Sequence, residues 1–346
     1  MGSGPASEAR YRQKNPIELE RVAQMMWSQT EKERARQIRR RPTGVLALGW
    51  ACLESAANGR TEHRPTSADW PDSVVRRISL PAGGAHSWRL SALVSPRSSP
   101  PPWKIAVVTG APSWAEYWAP VIAALPADRE MIVVDRPGFA GSEPAECVGD
   151  LEAQAEALAP LMETAPGQKL LLVGQSYGAV IAAIMAARAP GRVASLVLLS
   201  SYLGVPGPTA RWLVGVGSRF LGVIPRDLRN AVMEVSGLPD QMSLFTKALG
   251  GISAPIGFVH GAKDDFAPID AALQLALDCK TRLPVSFQRV PEANHFLNDG
   301  PPEVLLSALE ACLPSPAKRP RWVLKWPSLG VSNRAATGLA ASGAQP

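Results

Sequence analysis

Ser176 stands in Gly174-Gln175-Ser176-Tyr177-Gly178, a G-x-S-x-G pentapeptide. A serine hydroxyl is a weak nucleophile near neutral pH. It needs a base to take its proton and an acid to orient that base. The 346-residue chain has four histidines. His63 falls in polar linker sequence, His86 follows the Gly83-Gly84 turn, and His260 closes an apolar run where a core or wall role suits it. His295 falls in the loop Val290 to Leu297, between the last strand-like run and the last helix-like run. In a parallel sheet that loop leaves the same edge as Ser176, so His295 is expected to be the base. The acid should leave another strand at that edge, between serine and histidine in sequence. After residues 193–199 come Ser200, Ser201 and Tyr202, with no carboxylate. After residues 256–260 comes Gly261-Ala262-Lys263-Asp264-Asp265-Phe266, so the acid is Asp264 or Asp265. Such a set would attack a carbonyl carbon and pass through an acyl-enzyme.

The elements that must hold these residues are legible as runs. Lys104–Val108, Met131–Asp135, Leu170–Val173, Val193–Leu199, Ile256–His260 and Val285–Val290 are short and rich in Val, Leu and Ile. Their lack of polar alternation predicts strands buried on both faces, the mark of a mostly parallel sheet covered by helices. Helix-like runs lie between them at 114–125, 151–163, 179–189, 269–279 and 302–313. Val75–Leu80 and Trp88–Val94 predict a pair of strands joined through Gly83-Gly84. The pentapeptide follows a buried strand and opens a helix, the strand–turn–helix context a nucleophile elbow requires.

Charge and composition narrow the function. The hydrophobic fraction is 46% and the charged fraction 19%, which excludes wholesale disorder. The formal charge of +6 is uneven. Residues 1–80 hold 14 basic and 9 acidic side chains, residues 81–313 hold 17 and 21, and residues 314–346 hold 5 and 0. A nucleic-acid-binding domain carries its positive field on the folded part. Here the flanks carry it, so no nucleic-acid partner is expected. No run of 18 apolar residues predicts a stable membrane span. The four cysteines form no C-x-x-C pair, and no metal cluster, dinucleotide motif or phosphate loop is read, so neither metal nor cofactor is expected.

Residues 1–73 are expected to form a basic extension and linker, with an amphipathic helix opening at Asn15-Pro16. The stretch 39–57 pairs arginines with the apolar Gly44–Leu53, the outline of an export signal or envelope anchor if translation starts at Met25 or Met26. The preferred reading is a solvated helix in a cytoplasmic protein. Residues 314–346 read as a loose basic tail.

Residues 74–313 resemble the α/β-hydrolase fold family. The matching pieces are Gly174 to Gly178, Gly261-Ala262-Lys263-Asp264, Asn294-His295-Phe296 and the turn Asp135-Arg136-Pro137-Gly138-Phe139-Ala140-Gly141-Ser142. The order Ser176, aspartate, His295 is also that family's order. The resemblance places the acid at Asp264, three residues after Gly261, and leaves Asp265 as a turn residue. It makes the Asp135 turn structural. It assigns the oxyanion-stabilising N–H groups to Tyr177 and Ala111, with Thr109 standing where the family usually has His.

The resemblance also places a helical lid at about 202–250, a segment with many apolar residues. Trp114, Tyr202, Trp212 and Phe266 are expected to face the substrate. The implied partner is a small molecule with an apolar acyl group. Hydrolysis of a carboxylic ester, thioester or amide is the leading reading. Acyl transfer on the same triad, or a non-catalytic ligand binder of the same fold, are the alternatives.

Overall fold

The computed structural model describes residues 67–314. The expected N-terminal helix, the 39–57 leader and the tail beyond Pro314 lie outside the described residues. Eight strands form one sheet: β1 (Arg76–Pro81), β2 (Arg89–Val94), β3 (Trp103–Val108), β4 (Arg129–Val134), β5 (Lys169–Gln175), β6 (Val193–Leu199), β7 (Ile256–Gly261) and β8 (Val285–Val290). Their spatial order is β1-β2-β4-β3-β5-β6-β7-β8. β2 pairs antiparallel with β1 and with β4, and every later pairing is parallel.

The unbroken apolar runs follow from burial on both faces. In β5, Leu170 and Leu172 enter one core, while Leu171 and Val173 enter the other. Ala106 and Val108 of β3 alternate in the same way with Ile105 and Val107. One face is covered by α2 (Leu151–Ala157), α3 (Gly178–Arg188), α6 (Met242–Gly251) and α7 (Ile269–Lys280). The other is covered by α1 (Ala119–Ala123) and α8 (Pro302–Glu310). Helix α3 is buried from Gly178 to Ala186, which is why its sequence has no polar stripe.

Two expected helices are divided. The 114–125 run is a 3₁₀ turn, Ala115–Trp118, followed by α1. The 151–163 run is α2 followed by a 3₁₀ turn at Ala159–Met162. Pro160 carries no N–H and cannot continue the α-helical ladder of α2.

The residues between β6 and β7 form α4 (Pro208–Arg219), α5 (Arg226–Gly237) and α6. Strand order reverses around β3 and β5, so the loops leaving their C-terminal ends open a crevice there. Those loops begin at Thr109 and Ser176.

Candidate active site

The turn after β5 is very tight. Ser176 has φ +52°, a conformation non-glycine residues rarely adopt. The strain is held by neighbours: Ser176 N donates to Leu199 O at 2.8 Å, and its carbonyl accepts from Tyr202 N at 3.2 Å and Ala179 N at 3.0 Å. Both flanking glycines are sterically required. A Cβ on Gly178 would lie 2.3 Å from Val108 O, and one on Gly174 would lie 2.5 Å from Ala179 Cα. The preceding Gln175 ties the elbow to both sides. Its Oε1 accepts from Trp118 Nε1 at 3.0 Å, and its Nε2 donates to Asn298 Oδ1 at 2.6 Å.

His295 arrives on the loop after β8. Its Nε2 lies 2.9 Å from Ser176 Oγ, and its Nδ1 lies 2.8 Å from Asp264 Oδ2. Asp264 follows β7. Its Oδ1 accepts from Phe266 N at 3.0 Å and Ala267 N at 2.8 Å. Burial alone would raise the Asp264 carboxyl. Hydrogen bonds from His260, His295 and the Ala267 N–H outweigh it and hold the group below the usual carboxylate range. Asp265 turns away and accepts from Thr209 Oγ1 of α4 at 2.5 Å. The structure therefore brings Ser176, His295 and Asp264 together, and not Asp265. Tyr177 directly follows Ser176, and Gly110, the residue before Ala111, packs against that serine. Among the described residues, the Tyr177 and Ala111 N–H groups donate to no other protein group.

The sequence of residues 105–232 matches the family model described as the alpha/beta hydrolase fold. The fold of the described residues is that of the α/β-hydrolases.

Relatives of this chain include the 2-hydroxy-6-oxononadienedioate/2-hydroxy-6-oxononatrienedioate hydrolase 1 of Dechloromonas aromatica (strain RCB), 27% identical over 204 residues, covering 48% of this chain and 71% of that protein. Among solved structures it is similar to 2-hydroxy-6-oxo-6-phenylhexa-2,4-dienoate hydrolase from Rhodococcus sp. strain RHA1. There the TM-score is 0.53 at 20% identity, covering 68% of this chain and 99% of the other. A thermophilic esterase from Thermogutta terrifontis matches with TM-score 0.52 at 18% identity, covering 68% and 97%. These structural likenesses establish the fold.

The other expected site residues are placed as follows. Phe266 stacks on the His295 ring at 5.2 Å between centroids, and Phe296 meets both rings edge-on. Tyr202 is buried beside the elbow. Trp114 donates its indole N–H to Asp227 Oδ2 of α5 at 2.7 Å. Trp212 sits on α4 and is 44% exposed. His86 stacks on Trp88 in the first hairpin. Among the described residues no cluster of His, Cys, Asp or Glu could hold a metal ion, and no helix is long and apolar enough to cross a membrane.

Two buried polar groups near the elbow have partners that the sequence does not announce; His260 is the buried residue its place at the end of an apolar run suggests. His260 Nε2 lies 3.1 Å from Asp264 Oδ2 and 3.0 Å from Ala267 O. Arg136, in the turn after β4, is fully buried against Glu234 of α5. Burial pushes the Glu234 carboxyl upward and Arg136 opposes it. Arg136 and Glu234 are 98 residues apart, and no local spacing announces that pair.

Proposed function

We propose that this protein is a serine hydrolase acting through an acyl-enzyme, with Ser176 as nucleophile, His295 as base and Asp264 as the acid that orients it. The observation that carries the reading is the unbroken chain from Ser176 Oγ through His295 to Asp264, at 2.9 Å and 2.8 Å. His295 Nε2 takes the hydroxyl proton as Oγ attacks the carbonyl carbon. The carboxylate of Asp264 holds the proton of Nδ1 and stabilises the imidazolium. The developing oxyanion accepts from the Tyr177 and Ala111 N–H groups, which have no other acceptor among the described residues. Collapse expels the leaving group, which takes the proton from His295. Water then attacks the acyl-enzyme by the same route and releases the acid.

The preferred substrate is a carboxylic ester with an apolar acyl group, or a related thioester or amide. The aromatic wall of Phe266 and Phe296 against His295 supports an apolar group there. The segment 202–250 serves as the lid; Tyr202 joins it to the Ser176 turn, and Trp114 of the body bonds to Asp227 of α5.

The names of the relatives favour a second substrate class. A 2-hydroxy-6-oxo-dienoic acid has no ester, so its hydrolysis must break a carbon–carbon bond beside the keto group. A panel of p-nitrophenyl esters graded by acyl length, run beside a 2-hydroxy-6-oxo-dienoic acid, separates the two. Turnover of esters that falls with charge on the acyl group supports the ester reading. Selective turnover of the keto acid replaces it with carbon–carbon hydrolysis on the same triad.

A further inference from the structure

Arg136 has no role in the steps above, yet its surroundings are unusually complete. Its side chain is fully buried. A guanidinium has five N–H donors, and here each has an acceptor. Nε donates to Thr109 O at 2.9 Å. Nη1 donates to Gln154 Oε1 at 2.5 Å and Glu234 Oε1 at 2.7 Å. Nη2 donates to Gly110 O at 2.8 Å and Glu234 Oε2 at 2.7 Å. The Phe139 and Tyr177 rings each lie 4.9 Å from its central carbon.

These partners include both halves of the oxyanion-stabilising pair. Gly110 O belongs to the peptide whose N–H is that of Ala111. In a trans peptide the C=O and N–H point in opposite directions. Fixing the oxygen on Arg136 therefore fixes where the Ala111 N–H points, and a cation on the oxygen polarises that N–H. Tyr177 supplies the other N–H, and its ring packs on the same guanidinium. Gly110 itself lies against the nucleophile, since a Cβ there would sit 2.9 Å from Ser176 Cβ.

Glu234 fixes the guanidinium in turn, and it comes from α5. Asp227, Asn230 and Glu234 share one face of that helix and are all buried. Asp227 Oδ2 accepts from Ala140 N at 2.9 Å, and Asn230 Nδ2 donates to Gly138 O at 2.6 Å. The helix is bolted to the body through polar groups. Stability alone is a weak reason for a buried ion pair, because well-packed apolar residues of similar volume often do as well or better.

We propose that Arg136, locked by Glu234, is a positioning residue that presets the Gly110–Ala111 peptide for the transition-state oxyanion. The proposal rests on the serine-hydrolase reading. Its signature is a loss of transition-state binding without a loss of substrate binding.

The test is Arg136→Lys, which keeps the charge but loses the fork. The assays are p-nitrophenyl ester turnover, inhibition by an alkyl trifluoromethyl ketone that forms a hemiketal on Ser176, and thermal melting. Removing an oxyanion donor outright costs about 10²–10³ in kcat. Misdirecting one should cost about 10–100-fold, with KM within about twofold. The ketone's inhibition constant should rise by the factor that kcat/KM falls. Glu234→Gln keeps one acceptor and should show a smaller loss with the same split; it carries the test if Arg136→Lys does not fold. Folded variants with unchanged kcat and unchanged inhibition overturn the proposal, as does a loss that appears only in KM. Failure of both variants to fold would make the pair a structural bolt and also overturn it. An inert wild-type protein would sink the hydrolase reading and this proposal together. An active wild type with unaffected variants sinks this proposal alone.

Discussion

His260 Nε2 lies 3.1 Å from Asp264 Oδ2, the same oxygen that faces His295 Nδ1. Nε2 also lies 3.0 Å from the Ala267 carbonyl. Both neighbours are acceptors, so Nε2 carries the proton and donates to both. Nδ1 is buried with no partner among the described residues. The Asp264 carboxylate that faces His295 is thus itself held by an inner histidine and by the Phe266 and Ala267 N–H groups.

That arrangement predicts a graded response at position 260. His260→Gln can present an N–H near the Nε2 position and should keep most of the activity. His260→Leu removes the donor and should lower kcat by about tenfold, equivalent to about 1.4 kcal/mol of barrier. Steady-state kinetics on both variants checks it. Equal activity of Leu and wild type would show that Asp264 needs no help from His260.

The two neighbouring aspartates should separate sharply. An amide at the acid position favours the wrong imidazole tautomer and costs about 10⁴ in turnover in the serine-protease case. Asp264→Asn should fall by several orders of magnitude with the fold retained. Asp265→Asn, which loses only the Thr209 hydroxyl contact, should change less than about tenfold. Circular dichroism with ester turnover distinguishes them. The reverse ranking would reassign the acid.

Asp264 also predicts a pH effect on stability. Its folded carboxyl titrates below the ordinary range, which for an unfolded aspartate is about 3.9. Below that value the unfolded state binds the proton more readily, so acid favours unfolding. The stabilisation is present above about pH 4 and is lost as pH falls toward the lower folded value. Urea midpoints of wild type and Asp264→Asn should therefore keep a constant gap from pH 7 to pH 5 and converge below about pH 4. A gap that closes between pH 7 and pH 5 would contradict this account of the carboxylate.

The sheet was readable because β3 and β5 are apolar on both faces, which only a covered parallel sheet explains. Ser176 was readable because its glycines sit between a strand and a buried helix. Asp264 was not separable from Asp265 by spacing alone. Geometry separates them, since one side chain turns to His295 and the other to Thr209. The Arg136–Glu234 pair was not legible. Its members are 98 residues apart, and nothing local in the sequence links Asp227, Asn230 and Glu234 to the turn after β4. Gln175 and Asn298, 123 residues apart, were hidden for the same reason. The hydrogen bond is side chain to side chain, and only the folded sheet edge brings its ends together.

The central claim is that Ser176 is the nucleophile. A fluorophosphonate should modify the folded wild-type protein at Ser176 alone, as located by peptide mass spectrometry, and abolish ester turnover in proportion to labelling. Ser176→Ala should melt like the wild type and take up no label. A folded wild-type protein that remains unlabelled, or one labelled at another serine with turnover lost, would contradict the account.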